Sequence, residues 1–102
     1  MKRVVPSSPP SDPWMSDPQA FGQAIRAART AAGMSLVDAA ATMGISKQTL
    51  SDLEKATGSV GLTIALRVAR DMGVAVFAVQ PAQRDAARQA LRDLASPIEN
   101  GA

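Results

Sequence analysis

The stretch from Gly33 to Glu54, GMSLVDAAATMGISKQTLSDLE, constrains this chain more than any other. It opens on a helix-stop glycine, continues with a Ser-x-x-Asp start signal from Ser35 to Asp38, and then interrupts an alanine-rich run at Gly44. A chain built only to fill a core would keep Ala39 to Leu53 as one rod. Instead the first helix of the pair ends at Met43, Gly44 supplies a turn that requires positive φ, and Ser46 caps a second helix over KQTLSDLEKA. Two short helices joined in this way cross steeply, so the second projects from the body.

The neighbouring segments supply a body for it to project from. From Gln19 to Ala32 the apolar residues Phe21, Ala24, Ile25, Ala28 and Ala32 recur at helical spacing, with Asp17 and Pro18 as the start and Gly33 as the stop. A further helix carries Leu62, Ala65, Leu66, Val68, Ala69 and Met72 and closes at Gly73. The period then changes. VAVFAVQ, Val74 to Gln80, is short and β-branched and reads as a strand ended by Pro81. No other segment has strand character, so the simplest partner is the same strand of a second copy, antiparallel about a two-fold axis. Alternation puts Val74, Val76, Ala78 and Gln80 on one face and Ala75, Phe77 and Val79 on the other, with the Phe77 face on the dimer core. The final segment, PAQRDAARQALRDLA, reads as a helix. Its Leu91 and Leu94 would cover that face, and Arg84, Arg88 and Arg92 form a solvated row paired with Asp85 and Asp93.

Composition limits what such a body can do. At 102 residues the chain holds about one small domain, and without Cys or His it has no disulfide, thiol, zinc-cluster or imidazole chemistry. No carboxylate pair or Gly-rich phosphate loop stands in a catalytic setting, so the expectation is a binding protein without enzyme activity, cofactor or metal. No run approaches the length of a membrane span, and MKRVVPSSPP lacks a signal-peptide apolar core, so the expected location is cytoplasmic. Five prolines between Pro6 and Pro18 argue against regular structure, so residues 1–17 read as a disordered arm. Its Trp14 is either incidental or a docking residue. Residues 18–73 form the helical domain, 74–96 the strand-plus-helix dimerisation extension and 97–102 a disordered tail. The net charge of +2 is concentrated in residues 18–73, which suits a polyanion partner.

In the helix pair, Ala39, Ala40, Met43, Ile45, Leu50 and Leu53 must face inward, which turns Lys47, Gln48, Thr49, Ser51, Asp52 and Lys55 outward. Lys47, Gln48, Thr49, Ser51 and Asp52 are the candidates for reading DNA bases, since long hydrogen-bonding side chains suit base edges in the major groove. Arg26, Ser35, Ser46, Lys55 and Arg67 are the candidates for phosphate contacts.

FGQAIRAARTAAGMS, LVDAAATMGISKQTLSDLEKA and VGLTIALRVARDMGV, covering residues 21–74, resemble the phage-repressor-like (Cro-like, or XRE) helix-turn-helix proteins. The resemblance implies an all-α, lambda-repressor-like bundle of four to five helices. It also implies a homodimer that represses promoters at palindromic operators, reading the major groove with helix 46–56. In that family an arginine four before the glycine ending helix 1 pairs with the glutamate ending the reading helix, which are Arg29 and Glu54 here. Where the family generally has a phosphate-holding glutamine, this chain has Leu36, so Ser35 and the backbone N–H groups beside it would supply that contact. A strand after the fourth helix resembles the HipB-like antitoxin branch, whose dimers pair C-terminal strands. The partners expected are thus double-stranded DNA and a second copy, with no membrane; Val74, Val76, Phe77, Val79, Leu91 and Leu94 would form the dimer interface. Two alternatives stand beside this reading: an antitoxin that neutralises a toxin and autoregulates its operon, and a helical interaction module without DNA affinity.

Overall fold

The computed structural model describes residues 3–95. Five α-helices follow in order: α1 (Pro18–Ala31), α2 (Leu36–Met43), α3 (Lys47–Lys55), α4 (Leu62–Met72) and α5 (Arg84–Ala95), the last entered through a 3-10 turn at Pro81–Gln83. Side chains fix the first three starts. Asp17 Oδ1 accepts from the Ala20 N–H at 2.8 Å, Ser35 Oγ from Asp38 at 3.1 Å and Ser46 Oγ from Thr49 at 2.9 Å. Each bond satisfies a donor that the helix itself leaves open.

Ile25 of α1, Leu50 of α3 and Val68 of α4 are fully buried and meet at the centre. Ala39, Ala40 and Met43 bring α2 onto them, and the two alanines let it lie close. Truncating Leu50 to alanine would leave a cavity worth about 2–5 kcal/mol. α1 and the end of α3 approach closely: a Cβ on Gly22 would fall on the carbonyl oxygens of Leu53 and Glu54. Only glycine fits there.

The expected strand at Val74–Gln80 is not formed: no strand occurs among the described residues. A ladder needs a second backbone, and this single chain presents none to the segment. Phe77 and Leu94 are exposed at 68 % and 77 %, so α5 does not cover Phe77 within the chain. The resemblance to the HipB-like antitoxin branch, which rested on that strand, is not confirmed.

The N-terminal segment is irregular, yet it is laid along the body. The Ser7 N–H donates to Thr30 Oγ1 at 2.9 Å, and Gln23 Nε2 donates to the Ser8 carbonyl at 3.2 Å. Thr30 is buried, and its hydroxyl donates back to the Arg26 carbonyl at 2.9 Å, so it joins arm to helix with its own needs met. Further along, Asp12 reaches Arg88 at 3.5 Å, and the Trp14 ring lies under the guanidinium groups of Arg84 and Arg88, 5.9 and 5.1 Å from its centroid. The tail expected at 97–102 lies outside the described residues, as do residues 1, 2 and 96.

Candidate nucleic-acid interface

The reading unit is held at its bend and at its far end. At the bend, Gly44 adopts φ 68° and ψ 31°, and the Gly44 and Ile45 N–H groups donate to the Ala41 and Ala40 carbonyls at 3.1 and 3.0 Å. That closes α2 in a left-handed turn and aims the chain into α3. At the far end, Arg29 holds Glu54 with two bonds, Nε to Oε2 at 2.6 Å and Nη2 to Oε1 at 2.9 Å. Arg29 Nη1 also donates to the Met34 carbonyl at 2.8 Å, which ties in the α1–α2 turn. The side chains of Arg29 and Glu54 are 9 % and 5 % exposed. In so dry a site, removing one partner strands the other charge, at a cost of about 3–5 kcal/mol. The result is an α3 whose C-terminal end is fastened and whose N-terminal turn stands free of the body.

Lys47 and Gln48 are exposed in that turn, with Ser46 beside them. Thr49, Ser51 and Asp52 are half-buried. Thr49 shares a 2.8 Å hydroxyl bond with Ser46 and so belongs to the cap as much as to the outer face. Asp52 accepts from Gln48 Nε2 at 2.8 Å and from the Thr57 hydroxyl at 3.0 Å, so its carboxylate is engaged within the protein.

The phosphate candidates divide. Arg26 and Lys55 line one cleft of about 190 Å³ together with Leu36, the Arg29–Glu54 pair and Ser51, the last a base-reading candidate. Leu36 packs against the margin of the core, and Arg26 and Lys55 are the cationic groups of this cleft outside the Arg29–Glu54 pair. Ser35 and Ser46 accept backbone N–H bonds as caps, with their hydroxyls at the starts of α2 and α3. Arg67 is elsewhere: its Nη2 donates to the Met43 carbonyl, so it caps the C-terminal end of α2.

Two contributors escape a pattern-based reading. Gly22 is one, although a glycine inside an amphipathic helix, at about 1 kcal/mol against alanine, is itself a signal of close approach. Thr57 is the other; it lies in the turn after α3, and nothing in its immediate sequence announces that it reaches back to Asp52.

A helix-turn-helix family model matches residues 25–77, which is just over half of the 102-residue chain and spans the whole reading unit. No curated protein matches the chain, and no solved structure does.

Proposed function

The chain belongs to the Cro/C1-type helix-turn-helix family of DNA-binding domains, and from that membership we propose that it is a sequence-specific transcriptional repressor acting as a homodimer on a palindromic operator. It binds rather than catalyses. The observation that carries this reading is the free N-terminal turn of α3, which presents Lys47 and Gln48 together while Glu54 fastens the other end to α1. Such a helix can enter the major groove, where lysine reaches guanine O6 or N7 and glutamine pairs with adenine N6 and N7.

Arg26 of α1 and Lys55 at the C-terminal end of α3 line the cleft that Arg29 shares and fit the phosphates bordering the groove. A single α3 reads only a few base pairs. Two copies related by a two-fold axis would set their reading helices one turn of DNA apart, about 34 Å, and multiply the specificity.

The test is selection of duplexes from a randomised library by the full chain, followed by affinity measurement across a salt series. A bound consensus with two-fold symmetry is expected, with log affinity falling against log salt by about 0.9 for each phosphate contacted. Binding that is weak and indifferent to sequence would instead favour a helical interaction module.

A further inference from the structure

The first turn of α3 contains an arrangement that goes beyond presenting Gln48 to a groove. Gln48 Nε2 donates to Asp52 Oδ1 at 2.8 Å, and the same oxygen accepts from the Thr57 hydroxyl at 3.0 Å. Thr57 is itself tied to α3 by its N–H, which donates to the Asp52 carbonyl at 2.9 Å. The carboxylate is therefore held from the turn that follows the helix. On its other side, Oδ2 lies against Gly58, where an added Cβ would stand 3.3 Å from it. Asp52 is half-buried, whereas Gln48 is exposed.

An ionised carboxylate accepts hydrogen bonds and donates none, so only the nitrogen end of the Gln48 amide can face it. That removes the two-fold ambiguity of an amide, whose oxygen and nitrogen ends are otherwise interchangeable by a half-turn of the last side-chain bond. It also occupies one of the two amide protons. The outward edge of Gln48 is then one N–H donor beside one carbonyl acceptor. Adenine offers the complement, N7 as acceptor and the N6 amino group as donor, while guanine offers two acceptors, N7 and O6. Against guanine the fixed Oε1 would meet O6, acceptor to acceptor. An amide released from Asp52 could instead turn both protons toward guanine.

Resting on the assignment of α3 as the reading helix, we propose that Asp52, braced by Thr57, is a positioning residue that sets the adenine-over-guanine preference of Gln48. Asp52 itself touches no base. Its negative charge lowers affinity for all DNA somewhat, and in exchange it sharpens discrimination at one position in each half-site. A plain i to i+4 pair that only supports the helix would affect stability and leave base preference alone.

The experiment uses the full chain and the duplex selected from a randomised library. The base pair whose preference changes in Gln48→Ala is located first, and duplexes carrying A·T or G·C there are compared. Asp52→Asn keeps the shape but can both donate and accept, so it should lower the A-over-G affinity ratio by about fivefold or more, with no loss of affinity for the G·C duplex. Thr57→Val, which leaves the carboxylate in place, should shift the ratio in the same direction by less. Adding Asp52→Asn to Gln48→Ala should change the ratio no further. A ratio that stays at the wild-type value in Asp52→Asn, while Gln48→Ala relaxes it, overturns the positioning role alone. If Gln48→Ala alters preference at no position, α3 is not the reader and both proposals fall. Helical circular dichroism and melting of each variant show that it is folded, and Thr57→Val keeps the test open should Asp52→Asn unfold.

Discussion

At residue 56 the backbone turns left-handed with an alanine in place: Ala56 ends α3 at φ 56° and ψ 41°. An L-residue pays about 1–2 kcal/mol there because its Cβ crowds the following carbonyl, whereas glycine is almost indifferent. Ala56→Gly should therefore stabilise the fold by about 1 kcal/mol, raising Tm by about 4–8 °C for a domain of this size in a thermal melt. Gly22 runs the opposite way. Alanine there would gain about 1 kcal/mol in helix propensity, but its Cβ would press on the Leu53 and Glu54 carbonyls, which are backbone and cannot turn aside. Gly22→Ala should lower the urea midpoint clearly, and an unchanged or raised midpoint would show that α1 and α3 can separate at no cost. Neither site was fully legible from composition and spacing. Ala56 reads as one more residue of a good helix, because its left-handed conformation belongs to the turn in which Thr57 bonds back to Asp52. Gly22 carries a signal, but not the identity of the carbonyls it makes room for.

At the scale of elements, what can be read locally is what is decided locally. Asp17, Ser35 and Ser46 cap the helices they precede, and Gly44 turns where a β-carbon would be strained, because these interactions reach only a few residues along the chain. Arg67 shows the limit: helix spacing places it on α4, but only packing aims it at the Met43 carbonyl rather than at solvent. The cleft holding Arg26 and Lys55 leads to a prediction about α1 and α3 together. Arg26→Ala and Lys55→Ala should each flatten the salt dependence of DNA affinity by about one unit while leaving the preferred sequence unaltered. A change of base preference in either would place that side chain on a base edge. The attachment of α5 leads to another. None of its described side chains from Arg84 to Leu94 is fully buried, and the arm reaches it through Asp12 and Trp14. Each exposed cation–π contact contributes about 0.5–1 kcal/mol. Trp14→Ala should thus speed amide hydrogen exchange in 84–95 and leave α1 to α4 unchanged. Equal protection in the variant would mean that something other than the arm secures α5.

For the molecule as a whole, the distribution of apolar surface sets the question of assembly. Leu62, Leu66, Val76, Phe77 and Val79 are all exposed, and Leu62, Leu66 and Val76 line an open groove of about 590 Å³ that also receives Phe21, Val60 and Met15. Scattered exposed leucines need no explanation, but an apolar groove continuous with a β-branched segment is the kind of surface that a soluble monomer tends to keep small. The Val74–Gln80 segment, short of a ladder in a single chain, reaches this groove through Val76. A two-fold partner would meet both needs, covering the apolar side chains and offering a backbone to pair with, and would bring the second α3 that operator reading requires. Phe77 separates this role from folding. At 68 % exposure its replacement removes little from the core of one chain, so Phe77→Asp should leave the helical spectrum and the melt of a dilute sample nearly unchanged. In a dimer built on this surface the same change buries a charge. Sedimentation, expected to show dimers for the parent chain, should then show monomers at the same concentrations, and affinity for a two-half-site duplex should fall to that for a single half-site. If Phe77→Asp stays dimeric and still distinguishes the full operator from its half, the two-fold contact lies elsewhere, with the exposed Leu94 edge of α5 the next surface to test in the same way.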